Sequence, residues 1–485
     1  MNQQALEKYL WGAATALRGT IDAGDYKQYI FPLLFFKRIS DVYEEEFESA
    51  LADSDGDMEY AAFAENHHFQ IPEGAHWKDA RETTVNIGQA LQNAMRAIEQ
   101  ANPDTLYGIF GDASWTNKER LSDAMLTNLI EHFSQHKLNI SNVPDDKLGD
   151  AYEYLIKEFA DDSGHTAAEF YTNRTVVKLM TMIMDPQPGE SVYDPTCGSG
   201  GLLLNCALHL KDEGKEYRTL KLYGQEINLL TSAIARMNMF MHGIEEFDIV
   251  RGDTLANPGL LENDSLKTFN VILANPPYSI KSWDRKSFER DPYGRNVWGT
   301  PPQGCADYAF QQHIHKSLDQ KNGRYAILWP HGILFRDAEA EMRRKMVMSD
   351  EIEAVIGLGP NLFYNSPMEA MVLVGNTNKP KERKGKVIFV NGKDDYIENK
   401  GQAYLTEAHI SKLYQAFKGF TDIPHYAEVA TLDEIMALGG NMNINFYVKA
   451  GNLGEAVSFG DAYKAWEKSC SDLKESMNSL LGALS

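Results

Sequence analysis

Cysteine is scarce in this chain of 485 residues. Its four cysteines, Cys197, Cys206, Cys305 and Cys470, lie far apart and form no CxxC pair, so neither a zinc site nor a disulfide framework is indicated. That usage suits a reducing compartment, and a cytoplasmic location is expected. No run of about 18 apolar residues is present to span a bilayer, and Met1 to Trp11 lacks the basic start and apolar stretch of a secretion signal. No membrane association is expected. There is no internal repeat, and no GxxxxGK(S/T) loop to cradle a polyphosphate. Positive charge is also short, with 47 Lys and Arg against 69 Asp and Glu, a net charge of -22. Affinity for nucleic acid comes mainly from Lys and Arg on phosphates. The chain therefore either does not act on nucleic acid or relies on another subunit for much of the basic surface.

The length exceeds what one hydrophobic core serves, so two or three domains are expected. From Leu6 to about Phe133 apolar residues recur at helical spacing, as in Leu6, Leu10, Ala13 and Leu17, then Leu34, Phe35, Ile39, Val42 and Tyr43. The Asp-rich stretch Ala52 to Asp57 reads as a loop. After Ser141-Asn142-Val143-Pro144 short apolar runs alternate with helical stretches, as in a βαβ series. Candidate strands are Ser191–Tyr193, Leu220–Tyr223, Phe247–Val250, Asn270–Leu273, Tyr325–Trp329, Ala354–Ile356 and Met371–Val374. Their nearly continuous apolar character implies a sheet covered on both faces.

The fold expected is α/β, a doubly wound, mostly parallel Rossmann-like domain over residues 146–415. An all-helical domain over 1–145 precedes it, and a helical tail over 416–485 follows. Lys379 to Lys386 reads as a charged hairpin or linker. In the tail, Tyr463, Trp466, Cys470, Leu473, Met477 and Leu480 alternate spacings of three and four, the seam of a helix that packs along another helix. Its partner could be the chain's own helical domain or another subunit.

Asp194-Pro195-Thr196-Cys197-Gly198-Ser199-Gly200-Gly201 follows a predicted strand and precedes an apolar helix. Glycines there allow a sharp turn and close approach to a ligand at the sheet edge where α/β folds bind nucleotides. The next strand ends in Gln225-Glu226, placing a carboxylate for ribose hydroxyls. The third ends in Gly252-Asp253, where Asp253 could accept from an adenine amine. Acidic groups at three successive strand ends fit a cofactor with adenosine and a cationic sulfonium better than a polyphosphate.

Asn275-Pro276-Pro277-Tyr278 ends the strand that begins at Asn270. An amine conjugated to an aromatic ring, or an amide nitrogen, is a poor nucleophile until its lone pair is localised. Two acceptors aimed at its hydrogens, the Asn275 side-chain oxygen and the Pro276 carbonyl, would favour the positive nitrogen of the transition state. Tyr278 can stack on a base drawn out of a duplex. No covalent intermediate and no metal are required. A cysteine nucleophile, as in cytosine-C5 chemistry, is disfavoured because no Pro-Cys occurs. These residues point to methyl transfer onto a planar nitrogen, with a nucleobase amine and a protein glutamine amide both open. Glu213-Gly214-Lys215 reads as a charged loop, and His67-His68 and His313-Ile314-His315 as surface or packing residues.

Glu169-Phe170-Tyr171-Thr172-Asn173-Arg174, the glycine loop, Gln225-Glu226, Gly252-Asp253 and Asn275 to Tyr278 together resemble the modification (M) subunit of type I restriction-modification systems. So do Tyr26 to Ser40, with Phe31-Pro32-Leu33-Leu34-Phe35-Phe36-Lys37-Arg38, and Ala306-Asp307-Tyr308-Ala309-Phe310. The likeness covers nearly the whole chain. It implies N6-adenine methylation of duplex DNA with S-adenosylmethionine. Glu169, Phe170, Tyr171, Thr172, Asn173, Arg174, Asp194, Gly198, Ser199, Gly200, Gly201, Glu226 and Asp253 would serve the cofactor. Asn275, Pro276, Pro277 and Tyr278 would hold the adenine. The family often has proline where Asn173 stands. The resemblance also implies a separate specificity subunit docked by the heptad helix, a restriction subunit, and a second M subunit. Only 73 residues separate Gly201 from Asn275, which leaves no space for an inserted recognition domain.

Overall fold

The computed structural model describes residues 1–18, 21–162, 172–362, 368–399 and 402–449, with isolated positions between 463 and 474. Glu169, Phe170, Tyr171, Cys470, Leu473, Met477 and Leu480 lie outside the described residues. Tyr463 and Trp466 are described, and both are exposed.

The amino-terminal region is helical, as its spacing predicts. Helices Gln3–Leu17, Ile87–Ala101, Asp123–Phe133 and Asp145–Asp162 share one hydrophobic core with the helix Lys27–Asp53. Every residue from Tyr29 to Val42 in that helix is buried, including Lys37, Arg38 and Asp41. Buried charges need partners. Lys37 pairs with Asp41, while Arg38 donates to the carbonyls of Leu138 and Val143 and to Asp145 Oδ1 (2.6 Å). The Phe-Phe-Lys-Arg stretch thus ties the central helix to the segment that leads into the next domain. Ala233, Ile234, Met237 and Met241 complete the same core, so the helical region packs directly on helix Leu229–Met241 of the α/β domain.

That domain is built on one nine-stranded sheet. Its strands in chain order are β1 Ser191–Asp194, β2 Lys221–Glu226, β3 Phe247–Arg251, β4 Val271–Ala274, β5 Arg324–Pro330, β6 Ile352–Leu358, β7 Ala370–Asn376, β8 Lys386–Gly392 and β9 Ala427–Thr431. Across the sheet they run β9-β8-β6-β7-β5-β4-β1-β2-β3. Neighbours from β3 to β5 are parallel, as are β6 and β8; β7 lies antiparallel between β5 and β6, and β9 antiparallel on β8. Alternate residues serve opposite faces. Val271 and Leu273 join the core under helices Arg174–Met184 and Gly201–Asp212, while Ile272 and Ala274 join the core under helix Asp307–Lys316. Burial on both faces is why the strands read as unbroken apolar runs.

The chain order turns back between β1 and β4. After β1 it moves outward to β2 and β3, then returns to lay β4 on the other side of β1. The loops leaving the carboxyl ends of β1 and β4 therefore diverge and open a crevice, the place where open α/β sheets bind ligands.

All seven expected strands form, and two expectations are corrected. The sheet does not end with the last of the seven candidate strands, Met371–Val374, because β8 and β9 extend it, with helix Glu407–Gly419 packed on the β8 side. That helix runs across the expected boundary at 415/416. Nor is Lys379 to Lys386 a free charged hairpin. Lys379 is buried, pairing with Asp350 (2.7 Å) and donating to the carbonyls of Ile352 and Lys386. A lysine can be taken inside only when its ammonium finds such acceptors. Among the described residues, no helix is long and apolar enough to cross a membrane.

Candidate active site

The crevice is lined by Thr172, Arg174, Asp194, Thr196, Cys197, Gly198, Ser199, Gly201, Leu202 and Asn275. Residues expected to serve a cofactor and the first residue of the tetrapeptide thus share one cleft.

The glycine loop turns through Gly198 (φ 52°) and Gly200 (φ 80°), left-handed conformations that glycine adopts without strain. Gly200 then caps helix Gly201–Asp212. Gly201 is a different case: a Cβ there would lie 1.9 Å from Arg174 Nη1. Arg174 reaches it from the start of helix Arg174–Met184 and also pairs with Glu153 of the helical region. Asn173 caps that helix, its Oδ1 accepting from the Thr175 N–H (3.0 Å) and hydroxyl (2.7 Å), and its amide donates to the Ala403 carbonyl (2.8 Å). Three hydrogen bonds thus fix the loop at Asn173.

Glu226 accepts from the N–H groups of Gly198 (3.1 Å) and Asn228 (2.9 Å), so the carboxylate at the end of β2 braces the glycine loop. Asp253 is not drawn into the cleft lining. Its Oδ1 accepts from the N–H groups of Leu255 (2.9 Å) and Ala256 (3.1 Å) and caps the turn after β3. Asp194, which ends β1, is fully buried. Burial pushes its carboxyl up to about 8, opposed by the Thr196 N–H and reinforced by Glu226. Burial also pushes the Cys197 thiol far above its ordinary range, so it offers no thiolate nucleophile.

Asn275 stands at the opposite wall. Its amide donates to Thr172 Oγ1 (3.1 Å), and its Oδ1 accepts from the Tyr278 hydroxyl (2.9 Å). The oxygen expected to face an incoming amine is therefore engaged by the motif's own tyrosine. Pro276 is buried and Pro277 exposed, and the Tyr278 ring lies 6.4 Å from Trp329 at 45°. Lys281, Lys286 and Arg290 are exposed just beyond the tetrapeptide. Acidity is concentrated elsewhere: residues 1–250 hold 40 Asp and Glu against 20 Lys and Arg, and the remaining 235 hold 29 against 27.

Other expectations resolve simply. Glu213 and Lys215 pair with each other (2.7 Å) beyond helix Gly201–Asp212. His67 is buried against Tyr43, with ring centroids 3.9 Å apart, and His68 pairs with Glu46. His313 is buried beside the Tyr193 hydroxyl (3.0 Å), and burial holds it well below the usual histidine range, hence neutral. Arg295 and Asp307 were not singled out by the sequence. Buried Arg295 pairs with Asp291 and donates to the carbonyls of Thr254 and Leu255 (2.8 Å each), joining the turn after β3 to the segment beyond the tetrapeptide. The one available signal was the position of Asp307 in the Ala-Asp-Tyr-Ala-Phe stretch.

The cleft fits a cationic, adenosine-bearing cofactor. The glycine loop presents backbone where side chains would collide, and a buried carboxyl stands ready to ionise beside a positive charge. Comparison with known proteins agrees. Residues 143–456 match the N-6 DNA methylase family, and residues 6–133 match the HsdM N-terminal domain. The type I restriction enzyme MjaVIII methylase subunit of Methanocaldococcus jannaschii is 30% identical, over 95% of this chain and 81% of its own. The MpnII methylase subunit of Mycoplasma pneumoniae is 27% identical, over 92% and 90%. The crystal structure of a type I restriction-modification methyltransferase subunit from Streptococcus thermophilus superposes with a TM-score of 0.80 at 31% identity, covering 93% of this chain and all of that one. The chain belongs to the N-6 DNA methylase family, as a modification (M) subunit of the type I restriction-modification kind that methylates adenine in DNA with S-adenosylmethionine.

Proposed function

We propose that Asn275, Pro276, Pro277 and Tyr278 hold an adenine flipped from duplex DNA, against a cofactor seated on the glycine loop. The observation that carries this is that Asn275 lines the same cleft as Asp194, Gly198, Ser199 and Gly201, at the point where the strand order reverses. Bound S-adenosylmethionine supplies a methyl group made electrophilic by its sulfonium. Gly198, Ser199, Gly200 and Gly201 shape the floor, Glu226 holds that loop and offers its carboxylate to ribose, and Thr172, Asn173 and Arg174 close one side. Glu169, Phe170 and Tyr171 belong to the same sequence run, and Asp253 serves from the neighbouring turn. Asn275 Oδ1 and the Pro276 carbonyl accept from the adenine amine and localise its lone pair. Asn275 Oδ1 has two lone pairs and can accept from the amine beside the Tyr278 hydroxyl or in its place; release of that hydroxyl frees the ring to stack on the base. The amine proton is lost to solvent after transfer, and no side-chain nucleophile is needed.

Target choice is assigned to a separate specificity subunit, within a complex that also holds a second M subunit and a restriction subunit. The short Gly201 to Asn275 interval, the extension of the sheet through β9 and the acidity of the first 250 residues support that division. The test is transfer of labelled methyl to DNA lacking adenine methylation, with N6-methyladenine identified by mass spectrometry. Activity should need a specificity subunit of the same type I system, and Asn275→Ala should lower it about 100-fold or more. Methylation unchanged in Asn275→Ala would remove the tetrapeptide from the reaction.

A further inference from the structure

Helix Asp307–Lys316 opens on a carboxylate that the transfer chemistry does not use. Asp307 is fully buried, and its two oxygens are divided between two tasks. Oδ1 accepts from the N–H of Ser279 (2.7 Å), and Oδ2 pairs with the Arg336 guanidinium. Ser279 directly follows Tyr278 and is held at φ 51°, a left-handed conformation that costs a non-glycine residue energy unless its surroundings impose it.

Arg336 reinforces the hold. Its Nη1 donates to Ser279 Oγ (3.2 Å), its Nε to Glu339 (2.8 Å), and its own carbonyl accepts from Arg343 (2.9 Å). One turn further along the same helix, Gln311 accepts from the indole of Trp329 (2.9 Å), whose ring lies 6.4 Å from that of Tyr278. The tetrapeptide is thus rigid at two points. Pro276 and Pro277 fix its middle. The Asp307 bond fixes the peptide that leaves Tyr278, and with it the direction of the tyrosine and of the Pro276 carbonyl. A buried cluster of Cys305, Asp307 and Glu339 has the spacing to bind a metal, but Arg336 bridges both of its carboxylates.

We propose that Asp307, backed by Arg336, is a positioning residue that sets the catalytic loop for methyl transfer; this rests on the assignment of Asn275 to Tyr278 as the adenine site. A geometry defect of about 1 Å at a reacting centre can cost 100-fold in rate. Loss of this clamp therefore reads out in turnover rather than in affinity.

The test uses the complex with the specificity subunit of its system, duplex genomic DNA lacking adenine methylation, and S-adenosylmethionine. Asp307→Ala should lower kcat at least about 30-fold, with the DNA KM and the calorimetric cofactor Kd within about threefold of wild type. Asp307→Asn keeps an acceptor for the Ser279 N–H and should recover part of that loss. Arg336→Gln, at a half-buried site, should lower kcat about fivefold or more and decides the matter if Asp307→Ala does not fold. A kcat within threefold of wild type in Asp307→Ala or, failing its folding, in Arg336→Gln overturns the proposal, as does a parallel collapse of cofactor affinity. Wild-type protein that makes no N6-methyladenine overturns the adenine assignment and the clamp together; active wild type with an equally active Asp307→Ala overturns the clamp alone.

Discussion

The fully buried carboxyl of Asp194 makes a quantitative prediction. Burial pushes it up to about 8, from about 3.9 in an unfolded chain. A carboxyl raised on folding contributes stability that is complete below the unfolded value and is lost as pH rises through the folded one. At about 1.4 kcal/mol per pH unit, the group withdraws roughly 4 kcal/mol between pH 5 and pH 8. Asp194→Asn removes the titration while keeping an acceptor for the Thr196 N–H, which Asp194 Oδ1 now takes at 2.9 Å. Denaturant unfolding of both proteins at pH 5, 6, 7 and 8 should show the variant gaining on wild type by about that amount across the range. In the proposed cofactor seat the same group faces the sulfonium side of the cleft. A cation in the cleft favours the ionised carboxylate, so wild-type affinity for S-adenosylmethionine should rise with pH toward about 8, while the variant binds more weakly and without that slope. A stability difference that does not change with pH, or a wild-type affinity that falls as pH rises, refutes the assignment of a buried, protonated Asp194.

Two further substitutions probe the walls of the cleft. Tyr278→Phe keeps the ring for stacking and removes the hydroxyl from Asn275 Oδ1, a bond worth about 1 kcal/mol. Single-turnover methylation should be at least as fast as wild type, whereas Tyr278→Ala should lose about 1–3 kcal/mol of base stacking; a tenfold slower Phe variant would show that the hydroxyl acts in transfer. Gly201→Ala puts a methyl 1.9 Å from Arg174 Nη1, so the end of that flexible side chain must shift and loosen its pairing with Glu153. Calorimetry should find weaker cofactor binding and a lower melting temperature, and unchanged values of both would mean that the arginine is not fixed.

What was legible in the sequence follows from how local each signal is. Buried parallel strands are apolar on both faces, so β1 to β7 stood out as runs, and glycine turns and Pro-Pro carry their conformations in single residues. The strand Lys386–Gly392 was hidden by the charges before it. Lys379 looks like surface until Asp350 and two carbonyls are brought to it from other strands. The strand-end carboxylates also have backbone partners that the sequence does not show: Glu226 turns back to brace Gly198, and Asp253 caps its own turn. Period and composition do not tell which backbone N–H a carboxylate will meet.

The least legible feature is the one that holds the tetrapeptide. Asp307 lies 28 residues from Ser279 and Arg336 another 29 beyond, separations at which no periodicity connects them. They meet because β4, helix Asp307–Lys316 and the loop after β5 converge at one end of the sheet. The same logic answers the excess of negative charge. Phosphate contacts require cations near the flipped base. The chain places its acidic load in the first 250 residues and leaves the catalytic half nearly balanced, with Lys281, Lys286 and Arg290 exposed just past Tyr278. A subunit built this way can receive DNA at its catalytic edge while contributing little attraction of its own. On the proposed division of labour, its affinity, and with it the choice of adenine, would fall to a partner that supplies the remaining positive charge.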